Sequence, residues 1–290
     1  METKKRVVLV TGCSSGVGMY TSVLLAKKEF RVYATVRNPN STRALKALVE
    51  SENVKLSILN LDVQNESSVQ TSVAKIIQEA GCIDVLVNNA GFGSVRSLEQ
   101  STFKEIEEVM DVNFYGAVRC IRTVLPHMRE RHSGHILSIS SVGGLVGQPL
   151  NETYCAAKFA LEGLVESMAT YLEPYFNIKM TLIEPAGIQS EFVNHVMNDL
   201  ESNPSPLQEV YNPIFKSYVE TSRRRGAFAQ SAQTPMQVAE IIVRSITEPS
   251  DNLRVQTSEM AKTFVAEKIQ VDPTGTALQK RIRKDLLGIC

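Results

Sequence analysis

Val7-Val-Leu-Val-Thr-Gly-Cys-Ser-Ser-Gly-Val-Gly18 decides how this chain is read. Val7 to Val10 are apolar on consecutive positions, as a strand covered on both faces should be. Glycines at 12, 16 and 18 then let the main chain turn sharply and leave space where a Cβ would clash. A helical pattern follows from Gly18 to Lys28. A helix beginning there points its free N–H groups at the turn, which suits an anion such as a pyrophosphate. A second glycine-rich stretch, Gly143-Gly-Leu-Val-Gly147, lacks such a strand–helix frame.

Outward from this turn, the same alternation repeats. Short β-branched or apolar runs stand at Val32–Val36, Val54–Leu59, Ile83–Val87, His135–Ile139 and Lys179–Ile183, with a further strand at Leu253–Thr257. Between them lie helix-length segments at Thr42–Ser51, Ser67–Ala80, Phe103–Arg131 and Thr153–Leu172. Strand then helix, repeated, predicts an α/β fold, a doubly wound parallel sheet of about seven strands with helices on both faces. After Pro185 the texture changes: 187–234 carries Pro204, Pro206 and Pro213 and no strand pattern, far longer than an ordinary connection. Thr234-Pro235 then opens an orderly helix as N-cap and first helical residue. The expected organisation is a single domain over 1–290, with a core over 1–185, a helical lid over 187–234, and a last helix, strand and tail over 235–290.

Composition narrows the function classes. Lys+Arg and Asp+Glu are 31 each in 290 residues, so the surplus positive charge of a dedicated nucleic-acid binder is missing. The cysteines at 13, 82, 120, 155 and 290 are scattered and odd in number, which argues against a disulfide framework or zinc site and favours a reducing, cytoplasmic compartment. The four histidines show no paired metal-ligand spacing. No apolar run approaches the roughly 18 residues of a membrane span.

Tyr154-Cys-Ala-Ala-Lys158 places a phenol and an ammonium at i and i+4, on one helix face. A nearby cation favours the phenolate, so such a tyrosine can exchange a proton with a carbonyl or an alcohol nearer neutral pH. The spacing alone is weak, and Tyr175-Phe-Asn-Ile-Lys179 repeats it. That second pair follows Pro174 and runs into a strand, so its side chains need not share a face. Tyr154 is distinguished by its company: Ser141 closes the fifth strand at the sheet's carboxyl edge, where open α/β sheets bind ligands.

With its Gly-x-x-x-Gly-x-Gly turn, Asn88-Asn-Ala-Gly91 after the fourth strand, and Asn113, Ser141, Tyr154 and Lys158 in order, the chain resembles the short-chain dehydrogenase/reductase family. Val32-Tyr-Ala-Thr-Val-Arg37, Lys158-Phe-Ala-Leu-Glu-Gly-Leu164 and Asp272-Pro-Thr-Gly275 resemble its hydroxysteroid and retinol dehydrogenase subgroup. The resemblance implies hydride transfer from a nicotinamide cofactor to a carbonyl. Tyr154 would donate the proton, Ser141 would orient the carbonyl, Lys158 would lower the tyrosine pKa and bind the nicotinamide ribose, and Asn113 would hold a relay water. It also implies cofactor contacts from Gly12, Ser14, Ser15, Gly16, Val17 and Gly18, from Asp62 and Val63 at the adenine, and from Asn89, Ala90 and Gly91. The family's Pro-Gly after the sixth strand is displaced here to Pro185-Ala-Gly187, with Ile188 and Ser190 toward the carboxamide. Ala34 to Arg37 has no acid to bind a ribose 2′-hydroxyl, and Arg37 can fork onto a 2′-phosphate, so NADP(H) is expected over NAD(H).

Phe192, Met197, Phe215 and Tyr218 of the lid, with Leu145, Val146 and Pro149, could line an apolar pocket for a bulky carbonyl or alcohol, such as a steroid, retinoid or polyketide-like compound. Arg223-Arg-Arg225 and Lys280 to Lys284 read as solvated basic faces with peripheral contact to acidic lipid as the sharper alternative. The family suggests a homodimer or homotetramer through the helices carrying Asn113 and Tyr154. The rival reading is a catalytically silent NADP(H)-binding regulator of the same fold. Such a protein typically loses the tyrosine or the lysine, and both are present.

Overall fold

In a computed structural model, which describes residues 5–189, 207–224, 232–270, 272, 274–277 and 280, strand β1 (Val7–Val10) is buried at every position. It is followed by α1 (Gly16–Lys27), β2 (Arg31–Val36), α2 (Arg43–Ser51), β3 (Ser57–Asn60), α3 (Glu66–Ala80), β4 (Val85–Asn88) and α4 (Phe103–Met110). A five-residue π-turn, Asp111–Tyr115, leads into α5 (Gly116–Arg131), β5 (Gly134–Ile139), α6 (Glu152–Phe176) and β6 (Ile178–Glu184). Beyond these come α7 (Gln208–Arg224), α8 (Pro235–Thr247), β7 (Arg254–Gln256) and α9 (Glu259–Ile269).

The seven strands form one sheet in the order β3-β2-β1-β4-β5-β6-β7, and every pair is parallel. Strand residues alternate between its two faces, as a period of two requires. Val7, Leu9, Tyr33, Leu86, Ile136 and Met180 pack with α3, α5 and α6. Val8, Val10, Val32, Ala34, Val87 and Leu137 pack with α1, α2 and α8. Strand order reverses between β1 and β4, which opens a crevice at their carboxyl ends.

Three boundaries differ from expectation for identifiable reasons. The third strand starts at Ser57 because Val54 N–H is spent on Val49 O, closing α2 through Asn53 at φ 49°. The fourth helical segment is interrupted by the π-turn, where Gly116 N–H reaches back to Asp111 O. Helix α6 runs past Pro174 to Phe176, because a proline in the last turn removes only one bond there.

Candidate active site

Strand β1 ends in Thr11, whose Oγ1 accepts from Asn89 N and Ala90 N, both at 3.0 Å. Asn89 Nδ2 donates to Thr11 O at 2.8 Å and to Gly12 O at 3.0 Å, so the residues after β4 clamp the turn after β1. Gly12 sits at φ 70°, and a Cβ there would stand 2.8 Å from Ala90 Cα. A Cβ on Gly18 would stand 2.4 Å from Asn89 Nδ2. Gly16, at φ 59°, would meet nothing within 4 Å. The turn is therefore closed on its protein side and open at Gly16. Ser15 precedes α1 without a side-chain cap bond, which leaves its hydroxyl off the first helical N–H groups. Cys13 lies under the turn as a small buried side chain, its thiol pushed up to about 12 by burial.

At the end of β2 the exposed Arg37 donates from Nη1 to Gln64 Oε1 at 3.4 Å. Asp62 Oδ1 accepts from Gln64 N at 3.0 Å, so one carboxylate oxygen is committed. Val63 is buried, with its carbonyl oxygen taken by Arg119 at 3.0 Å.

Asn113 lies inside the π-turn, which frees the Val109 carbonyl to accept from its Nδ2 at 3.0 Å. The same nitrogen donates to Phe92 O at 2.9 Å, and Oδ1 is buried without a hydrogen-bond partner among the described residues. Lys158 projects from α6, buried, and donates from Nζ to Ile139 O at 2.9 Å. Its ammonium lies 5.7 Å from the centroid of the Tyr154 ring. Burial lowers its pKa to about 8, and Glu162 acts in the opposite direction. A Cβ added to Gly91 would lie 2.7 Å from Asn113 Oδ1 and 3.6 Å from Lys158 Nζ. Glycine is thus the residue that lets these two groups converge on one point.

Ser141 Oγ accepts from Gly143 N at 3.0 Å, so the second glycine-rich stretch forms a single 3₁₀ turn, Val142–Gly144, directly after β5. Gly143 separates Ser141 Oγ from Cys155 Sγ, at 3.3 and 3.5 Å from its would-be Cβ. Val142 N donates to Pro185 O at 3.1 Å, which joins the Ser141 turn to the end of β6. Gly187 is at φ 52°, and Ile188 forms an isolated bridge with Gln233.

Leu145 is buried with Val142 and Ala186 against Ala261 and Val265 of α9, and Val146 packs at the edge of that group. Pro149 is exposed. Phe215 and Tyr211 of α7 pack on Val95 and Leu150, and Tyr211 OH donates to Glu99 Oε2 at 2.5 Å. Ser190, Phe192 and Met197 lie outside the described residues, as does the side chain of Tyr218. The second tyrosine–lysine pair is split as expected, Tyr175 ending α6 exposed and Lys179 lying in β6. Sequence reasoning missed Thr11, Phe92 and Ile139, which act through hydroxyl or main-chain oxygens. It also missed Glu162, whose only signal was its i+4 spacing from Lys158.

A family model described as short chain dehydrogenase matches residues 6–201. The chain belongs to this family. It is 39% identical over 296 residues to retinol dehydrogenase 8 of Homo sapiens, covering 100% of this chain and 93% of that one. It is 35% identical over 291 residues to 17-beta-hydroxysteroid dehydrogenase type 1 of Homo sapiens, covering 98% of this chain and 87% of the relative. Among solved structures, a short-chain dehydrogenase from Streptomyces avermitilis superposes with a TM-score of 0.75 at 26% identity, covering 99% of this chain and 100% of that chain. As a member of the short-chain dehydrogenases, the chain is an oxidoreductase of the alcohol dehydrogenase type whose family binds a nicotinamide cofactor. Among the described residues, no helix is long and apolar enough to cross a membrane.

Proposed function

We propose that this chain is an NADP(H)-dependent oxidoreductase that interconverts a ketone and a secondary alcohol on a bulky apolar substrate. The observation that carries the proposal is the convergence of Asn113 Oδ1 and Lys158 Nζ at Gly91, with Lys158 one helical turn from Tyr154 on α6. The residues present fit a dinucleotide. Gly16 is open where a pyrophosphate would lie against α1, and the second strand ends in Arg37 with no acid.

A bound reduced nicotinamide supplies the hydride. Tyr154 gives its phenolic proton to the developing alkoxide, and Ser141 hydrogen-bonds the same oxygen and sets its angle. Lys158 favours the phenolate and binds ribose hydroxyls. Asn113 Oδ1, which lacks a protein donor, accepts from a water that links Lys158 to solvent. Arg37 and Ser15 would hold the 2′-phosphate, Arg37 through its planar fork of donors. Among the described residues, Phe215, Leu145, Val146 and Pro149 are the lining candidates for the substrate. The names of the relatives, a retinol and a hydroxysteroid dehydrogenase, both designate bulky apolar alcohols. Steroid, retinoid and polyketide-like carbonyls are therefore the compounds to try. Exposed Phe103 of α4 and Tyr115 of the π-turn that holds Asn113, and exposed Phe159, Tyr171 and Tyr175 on α6, support a homodimer or homotetramer through the helices carrying Asn113 and Tyr154, which light scattering tests. The buried thiols of Cys13, Cys82, Cys120 and Cys155 suit a reducing compartment such as the cytoplasm.

The test is a carbonyl and alcohol panel with NADPH and NADH, read at the reduced-nicotinamide absorbance. Tyr154→Phe should lose at least about a hundredfold in turnover while binding NADPH nearly as well, given the usual worth of a general acid. Cofactor binding with no turnover across the panel would favour the silent regulator instead.

A further inference from the structure

Behind Lys158 lies a group of charges that the mechanism above does not use. Lys158, Glu162 and Glu166 recur every fourth residue along one face of α6. Glu162 is 4% exposed, and Glu184, the last residue of β6, is 0% exposed. Arg254 of β7 donates from Nε to Glu162 Oε2 at 3.0 Å and stands 3.4 Å from Glu184 Oε1, while its Nη2 pairs with Glu166. Gln256 Nε2 donates to Glu184 Oε2 at 2.5 Å. Ser140, next to Ser141, lies beside Glu162 under Gly144.

The Glu162 and Glu184 carboxyls lie side by side on one nitrogen, Arg254 Nε, at 3.0 and 3.4 Å. Among the described residues, Oε1 of each makes no well-aligned hydrogen bond, although Arg254 Nε stands 3.4 Å from Glu184 Oε1 and the Ser140 hydroxyl lies beside Glu162. Two carboxylates this close and this dry cannot both stay ionised. A single proton between them would give both orphan oxygens a partner and leave one negative charge on the pair. Burial, and on Glu184 also the neighbouring Glu162, holds both groups above the ordinary carboxylate range, against the pull of Arg254, of Ser140 on Glu162 and of Gln256 on Glu184. Arg254 pairs with Glu166 as well as with the two buried carboxyls, so one further negative charge remains, and Glu162 lies one turn from Lys158 on α6, where its charge acts on the lysine.

We infer that Glu162 and Glu184 share one proton, and that the single charge they carry is the counter-ion of Lys158. They are then positioning residues for the Lys158–Tyr154 proton chemistry, a consequence that rests on the function proposed above. A merely structural cluster would brace β6 and β7 against α6 without setting the charge of the lysine.

The test uses the full chain with neither cofactor nor substrate, so it stands or falls apart from any activity assay. Infrared spectroscopy at pH 7 should show the carbonyl band of a protonated, buried carboxyl that disappears in Glu184→Gln. Titration of the Lys158 side-chain nitrogen by NMR, assigned by its loss in Lys158→Met, should show a midpoint retained in Glu162→Gln and in Glu184→Gln, where the amide N–H stands in for the shared proton and the other carboxylate keeps the charge. It should be lowered by about one unit in the Glu162→Gln/Glu184→Gln double variant, which removes that charge. Should the double variant not fold, the two single variants carry both measurements. Absence of the band from the wild type, its persistence in Glu184→Gln, a midpoint shifted in either folded single variant, or one unmoved in a folded double variant would overturn the inference. Failure of the function proposal would instead appear as full activity in Tyr154→Phe.

Discussion

Lys158 Nζ donates to the main-chain oxygen of Ile139 at 2.9 Å, which ties the buried cation of α6 to the end of β5, two residues before Ser141. One hydrogen bond thus sets the spacing between the helix that carries Tyr154 and the strand that presents Ser141.

That burial has a stability signature. Lys158 titrates at about 8 in the folded chain against 10.5 as a free side chain, chiefly through desolvation. Between these values the unfolded chain binds more protons than the native one, so stability attributable to this residue rises with pH from 8 to 10.5. Below 8 the penalty of burying the ammonium is present in full. The rise is on the order of 3 kcal/mol. Denaturant unfolding across this window should show it for the wild type relative to Lys158→Met, which should also lose turnover.

His135 works in the opposite pH range. It is buried in β5 with Nε2 2.9 Å from Thr181 Oγ1, and burial, with Lys179 and Arg6, lowers its pKa from 6.5 to about 3. The unfolded chain gains the proton first as pH falls through 6.5, so the contribution of a neutral His135 is present above 6.5 and lost progressively toward 3. The loss is on the order of 3 kcal/mol by pH 4. Unfolding at pH 7 and pH 4 should show a smaller difference in His135→Gln than in the wild type.

The two left-handed glycines of the first turn should fail differently. Gly12→Ala drives a methyl to 2.8 Å from the Ala90 main chain, so it should lower stability and abolish NADPH binding together. Gly16→Ala meets no protein atom within 4 Å, so the chain should fold with only the backbone strain of φ 59°. That strain costs about 1–2 kcal/mol. Its methyl would then occupy the cradle, and the NADPH Kd should rise at least about tenfold. Thermal unfolding and fluorescence titration of the two variants separate these outcomes.

Arg37 should decide between cofactors. Its guanidinium is exposed and, among the described residues, is held by a long 3.4 Å bond to Gln64, so it can move onto a phosphate. Loss of a charge-assisted contact is worth about 1.5–3 kcal/mol. Arg37→Glu should therefore reduce the preference for NADPH over NADH at least about tenfold, measured as the ratio of the two dissociation constants. An unchanged ratio would remove Arg37 from the cofactor site.

Much of the molecule was written in local patterns. Consecutive valines, glycines at fixed offsets and an i, i+4 tyrosine–lysine pair are short-range features, and they located the sheet, the first turn and one face of α6. The π-turn was illegible because it depends on Asn113 reaching Phe92 O, 21 residues away, which no helical periodicity records. Gly91 carried no visible reason to be glycine until Asn113 and Lys158 were placed on either side of it. Glu162, Glu184 and Arg254 come from α6, β6 and β7, and each alone reads as an ordinary surface charge. Their burial is a property of the packed sheet, since a charge is forced into company only where neighbouring elements have excluded water. The chain order thus encoded the kinds of chemistry available, and the folded packing selected which charges meet and which atoms are left without partners.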